Sequence, residues 1–188
     1  MKIRAAVRDD IPRLVALERQ AESAAHWGEQ HYRALFPAGE CQPGAPQRLC
    51  LVVEVTPEQS SAGQSGPAAQ LRVEGFIVAQ VVDGECEIEN LVVAAASRRR
   101  GLASRLLEQL LRLALDQGAK MIALEVRESN QAARSLYAKW GFREVARRRG
   151  YYRDPPEAAV LLHLAAAPPA QGATLSGNQR SGSFVKNG

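Results

Sequence analysis

"SRRRGLASRLL", residues 97–107, sets three consecutive arginines and a glycine directly in front of an apolar helical stripe. On its N-terminal side, "CEIENLVV" (86–93) reads as a strand. On its C-terminal side, Leu102, Leu106, Leu107, Leu110, Leu111, Leu113 and Ala114 recur at helical spacing, and Gly118 ends the run. A strand, a glycine-bearing turn and a helix N-terminus bring backbone N–H groups and the helix dipole to one spot, which favours an anion. Cations in a first helical turn oppose that dipole, so three arginines there fit an anion sitting on the turn. A solvated charge run and a nucleic-acid patch are the competing readings. The turn is neither a Walker loop, lacking Gly-Lys-Ser/Thr, nor a dinucleotide fingerprint, lacking GxGxxG.

The flanking sequence supplies the frame. "KIRAAV" (2–7) reads as a short strand, followed by a helix in "RDDIPRLVALERQA" with Asp9 or Asp10 as cap and Pro12 in its first turn. "HWGEQHYRALF" (26–36) reads as a second short helix closed by Pro37, and "RLCLVVEV" (48–55) as a strand. Residues 56–70 are small and polar without periodicity, and read as a flexible hairpin loop. "LRVEGFIVAQVV" (71–82) and the 86–93 strand flank Asp83-Gly84, a hairpin turn. "KMIALEV" (120–126) is near-continuously apolar, as in a parallel strand covered on both faces. A helix "NQAARSLYAKW" (130–140) is closed by Gly141, and "FREVARRRGYY" and "EAAVLLHL" read as two last strands. Residues 165–188 have too little apolar content to pack and read as a disordered tail, leaving one domain over 1–164. The order β-α-α-β-β-β-α-β-α-β-β implies an α/β (α+β) fold, a mixed sheet with helices on both faces.

The chain has 188 residues, 46% of them hydrophobic, enough for one sizeable core, and a net charge of only +4. That balance suits a small anionic ligand at least as well as a long nucleic acid. Cys41, Cys50 and Cys86 form neither CxxC spacing nor an even set, and His26, His31 and His163 are scattered. No metal site is expected, and a reducing, cytoplasmic setting fits. The N-terminus lacks the apolar core of a signal peptide, and no run approaches the ~18 apolar residues of a membrane span.

Arg98, Gly101 and Ala103 form R-x-x-G-x-A, which resembles the acetyl-CoA signature Q/R-x-x-G-x-G/A of the GNAT N-acetyltransferases. "ALEVRESNQAARSLYAKWGF" (123–142) resembles the second half of that core, most closely in its RimI-type ribosomal-protein alanine acetyltransferases. "HWGEQHYRALF" is similar to that subgroup's W-S-E-x-x-F helix, and "RRRGYYRDPPEAAVLLHL" to its closing R-x-x-Y-Y…E-D-A segment. The likeness runs over about 2–164. It implies a GNAT fold: a mostly antiparallel seven-stranded sheet splayed between strands 4 and 5. It also implies acetyl-CoA as co-substrate, with no metal. Leu91, Val92 and Val93 would face its pantetheine arm and acetyl group, and Arg98, Arg99, Arg100, Gly101, Leu102, Ala103 and Ser104 would cradle its pyrophosphate. Asn130 would hydrogen-bond it, a role compatible with an ordinary N-cap.

Transfer of acetyl to an amine needs a base for the amine and a proton for the departing thiolate. In "IALEV", Met121, Ala123 and Glu125 share one strand face, opposite Ile122, Leu124 and Val126. A carboxylate between apolar neighbours suits general-base work, and an ion pair with same-face Arg127 is its bland alternative. Tyr137 lies on a stripe with Ala133, Leu136 and Trp140 and reads as core by spacing. The resemblance implies Glu125 as base and Tyr137 as acid, with Trp27 and Tyr151 against the acceptor. An α-amine titrates near ~7.7–8.0 and a lysine near ~10.4, so a glutamate base favours the α-amine. The resemblance implies an N-terminal alanine of a ribosomal protein as acceptor, on a monomer or weak dimer without a membrane or specific nucleic-acid partner. Lysine or a small amine as acceptor, and a non-catalytic acetyl-CoA-binding module, stay open. Two departures bear on the acceptor: Trp27-Gly28-Glu29 lacks the capping serine, and Glu157-Ala158-Ala159 lacks one carboxylate.

Overall fold

Runs of apolar and β-branched residues draw seven strands into one sheet, which the computed structural model describes over residues 1–21, 27–36, 46–56 and 71–165. In chain order these are β1 (Lys2–Ala5), α1 (Ile11–Arg19), α2 (Glu29–Ala34), β2 (Gln47–Val55), β3 (Arg72–Val82) and β4 (Glu85–Val93). There follow α3 (Leu102–Asp116), β5 (Met121–Arg127), α4 (Gln131–Lys139), β6 (Arg143–Arg153) and β7 (Pro156–Ala165). The spatial order is β1-β2-β3-β4-β5-β7-β6. Only β4 and β5 run parallel; every other neighbouring pair is antiparallel. Pro37, His26, Cys41, nearly all of the expected 56–70 loop and the tail from 166 lie outside the described residues.

Helices cover both faces. On one, the leucine stripe of α3 packs with Ile77, Ile88, Ile122 and Leu124 of the sheet, and Tyr137 and Phe142 extend this core. On the other, Leu14 and Leu17 of α1 and Tyr32 of α2 pack on Val52, Phe76, Val78 and Val92. This second core draws on β2, β3 and β4 but on no residue of β5. The expected two-sided burial of β5 is corrected accordingly: Ile122, Leu124 and Val126 are buried, whereas Met121, Ala123, Glu125 and Arg127 are only half-buried. Among the described residues the α1/α2 layer stops at β4 and leaves the odd-numbered face of β5 open.

Two further expectations shift. The helix read over 26–36 narrows to Glu29–Ala34, with Gly28 as N-cap and no side-chain cap, as the missing serine implies. Asp10 does not cap α1; its carboxylate turns back to accept from Val7 N at 2.8 Å and from the Arg4 guanidinium at 2.7 and 2.9 Å. No helix among the described residues is long and apolar enough to cross a membrane.

Candidate active site

The site begins where two strands part. The parallel ladder pairs Glu85–Ile88 with Met121–Leu124 and goes no further. At the same level β4 bulges on its other side: Ile88 pairs with Ala79 and Asn90 with Val78, leaving Glu89 as the extra residue. The inserted residue reverses the alternation, so Ile88 packs toward α3 whereas Asn90 and Val92 face α1. The neighbouring strand fits close against the end of β4 through Gly75, where a Cβ would stand 2.8 Å from the Val92 carbonyl oxygen.

Two cavities flank this wedge. The larger, about 690 Å³, follows the end of β4 into the turn and the start of α3. Leu91, Val92 and Val93 line it, then Arg98, Arg99 and Gly101, then Leu102, Ala103 and Ser104. Arg100 is not part of that wall. The turn takes two left-handed residues, Arg99 (φ 61°) and Gly101 (φ 78°), before α3 starts. Arg98 folds its Nε back to the Val93 carbonyl at 3.3 Å, and buried Ser97 donates to Glu74 at 3.1 Å. A strand end without a ladder partner on its β5 side, an N-terminus without an acidic residue in its first turn, and arginines on the wall fit an anionic, elongated ligand such as acetyl-CoA.

The smaller cavity, about 380 Å³, opens on the uncovered face of β5. Glu125, Tyr151 and Trp27 line it, with Glu87 and Glu89 from β4. Leu91, Asn130, Ala133 and Tyr137 border both cavities, so the two meet at Tyr137. The Tyr137 ring is 6% exposed and edge-on to Phe142 at 5.4 Å, and burial pushes its phenol well above the ordinary value. Asn130 caps α4, its Oδ1 accepting from Ala133 N at 3.1 Å.

Glu125 pairs with Arg148 of β6 at 2.5 Å, not with Arg127. Interaction with the same carboxylate holds the Tyr151 phenol above its ordinary value. Arg127 pairs with Glu157 at 3.3 Å and lies 4.0 Å over the Tyr152 ring. Glu157 also accepts from Ser129 N, which holds its carboxyl below the usual range. Burial raises the Glu89 carboxyl although Arg48 stands 2.8 Å away. Trp27 stacks on His31 at 5.8 Å, and Cys86 is core, with burial pushing its thiol up to about 11. Among the described residues no group of three or more His, Cys, Asp or Glu is placed to hold a metal. Sequence reasoning missed Arg148 and Glu89; the first depends on strand register and the second on a bulge that no glycine marks.

A model described as the acetyltransferase (GNAT) family matches residues 20–142. The chain belongs to that family. Among curated GNAT relatives, the [ribosomal protein bS18]-alanine N-acetyltransferase of Escherichia coli K12 is 38% identical over 95 residues, 50% of this chain and 64% of that protein. Its Salmonella typhimurium counterpart is 42% identical over 95 residues, with the same coverage. The matched stretch thus spans under two thirds of these relatives' length. The crystal structure of the Escherichia coli ribosomal-protein-S18-alanine N-acetyltransferase superposes with TM-score 0.64 at 28% identity, covering 87% of this chain and 92% of that one. Arabidopsis thaliana NAA60, in its complex with acetyl-CoA, shares the fold with TM-score 0.67 at 18% identity, covering 87% and 97%.

Proposed function

We propose that this GNAT protein is an acetyl-CoA-dependent N-acetyltransferase acting on the α-amino group of an N-terminal alanine, on a ribosomal protein, by direct transfer. One observation carries the reading: two cavities of opposite character meet at Tyr137, one walled by the arginine-glycine turn and the other by carboxylates. Acetyl-CoA, when bound, supplies an acetyl group activated as a thioester. The end of β4 and the turn at Arg98, Arg99 and Gly101 would hold it, with the α3 N-terminus facing its phosphates. Glu87, Glu89 and Glu125 give the smaller cavity an acidic wall that attracts a protonated amine.

Glu125 removes the proton from the acceptor amine, directly or through water. Arg148 holds that carboxylate until the acceptor enters, and with its side chain 55% exposed it is free to swing off. Tyr137, kept protonated by burial, gives its phenolic proton to the departing sulfur. The curated relatives named for bS18 alanine support the α-amine as acceptor, as does the lower deprotonation cost of an α-amine than of lysine.

Thiol-release rates of wild type, Glu125→Gln and Tyr137→Phe test the acid–base pair, with an expected loss of about 10² or more in kcat for each. Wild-type kcat in both variants would remove these roles. Mass spectrometry of peptides beginning with alanine, serine or lysine tests the acceptor. Acetylation confined to lysine side chains would overturn the α-amine reading.

A further inference from the structure

Glu18 lies on the buried face of α1 with Leu14 and Leu17, and is 2% exposed. Its Oε1 accepts from Trp27 N at 2.9 Å and from Asn90 Nδ2 at 2.9 Å. The Tyr32 phenol, fully buried, lies near the same carboxylate, whose charge adds to burial in raising it, and its oxygen accepts from Asn90 Nδ2 at 3.4 Å. These partners are all neutral, and no ion pair of Glu18 occurs among the described residues. An anion in such a place is costly, and an aliphatic side chain would serve core packing better. What the carboxylate joins is specific: Trp27 and Asn90 both line the acceptor cavity, whereas Glu18 and Tyr32 do not. Asn90 reaches it only because the Glu89 bulge turns that residue toward α1.

We propose that Glu18 is a positioning residue for the acceptor: its carboxylate clamps the Trp27 segment and the β4 bulge into one rigid cavity wall. The proposal rests on the reading of the 380 Å³ cavity as the acceptor site. Because one oxygen takes both bonds, losing it frees both parts of the wall together, while the cofactor turn stays untouched.

Full-length Glu18→Leu, Glu18→Gln and Tyr32→Phe are assayed by thiol release, varying an alanine-initiated peptide and acetyl-CoA separately. Glu18→Leu should raise the peptide KM about tenfold and leave the acetyl-CoA KM within about twofold. Glu18→Gln, which keeps a carbonyl acceptor, should fall between it and wild type. Tyr32→Phe, which keeps the ring and removes only the phenol, should raise the peptide KM about threefold. A purely structural role would lower thermal stability and active fraction while leaving both KM values alone, and that result overturns the proposal. Should Glu18→Leu fail to fold, an unchanged peptide KM in Tyr32→Phe overturns it equally. Tyr151→Ala, in the cavity but outside the clamp, separates the two failures. A peptide KM raised by Tyr151→Ala alone sinks the positioning role; one moved by no variant sinks the cavity reading and the clamp with it.

Discussion

Glu125 is held by the Arg148 guanidinium of β6 at 2.5 Å and shares its cavity wall with Tyr151 of the same strand as Arg148. As the proposed base it must exchange partners before it works, and an incoming ammonium competes for the same oxygens. Arg148→Ala removes the competitor, and because the pair is half exposed its effect should be modest. The acceptor KM should fall by up to about fivefold and lose part of its salt dependence. A rise instead would mean that Arg148 contacts the acceptor. The alternation of "IALEV" gave the strand face of Glu125, and only the family resemblance pointed to a role for it; its partner was not legible. Arg127, the same-face neighbour, is drawn off by Glu157, and Arg148 comes from β6, beyond the intervening β7. The thiols are simpler. Burial pushes Cys50 up to about 12 and Cys86 up to about 11, so the thiolate fraction of each is very small at pH 8. On a Cys41→Ser background, a thiol reagent at pH 8 should find no fast-reacting group in the native protein. Rapid labelling of half-buried Cys50 or buried Cys86 would contradict these raised values.

In the proposed function, the turn between β4 and α3 is the element that holds the cofactor. Its glycine is required by backbone conformation rather than by space, since a Cβ at Gly101 would meet no atom within 4 Å. At φ 78° an alanine costs about 1 kcal/mol, so Gly101→Ala should fold with a slightly lowered Tm. Its acetyl-CoA KM should rise as the amides leave their arrangement. Arg99→Glu, placing an anion on the cavity wall, should raise that KM further without loss of stability. An unchanged KM in Arg99→Glu would return the arginines to a solvated surface. This element was legible because its chemistry is local: glycine, arginines and leucine stripe lie within one continuous stretch. The β4 bulge was not, because Glu89 is set out of register by pairing with β3, and nothing in "CEIENLVV" betrays an unpaired residue. Glu18 left a fainter trace, a charge between apolar positions of α1 that helical spacing alone marks as misplaced.

At the scale of the molecule, the proposed function rests on unequal coverage of the sheet. The order of elements made helices on both faces legible, but not that α1 and α2 would end their cover at β4 and expose one face of β5. That layer is tied at its start by charge. Arg4 on the edge strand β1 binds Asp10 through two hydrogen bonds and Glu54 of β2 at 2.7 Å, and Asp10 also accepts from Val7 N. The bonds from Arg4 hold the Asp10 carboxyl below its usual range. A carboxylate whose folded value is depressed contributes stability fully above its unfolded value, near ~3.9, and loses it as pH falls through the folded value. Asp10→Asn should therefore cost about 2 kcal/mol at pH 7, read as a lower urea midpoint with unchanged slope. The gap between wild type and variant should persist at pH 5 and shrink steadily below pH ~4, as wild-type Asp10 takes up its proton. A gap that stays constant down to pH ~2 would show that the charge on Asp10 contributes nothing, and that shape alone holds α1 against the edge of the sheet.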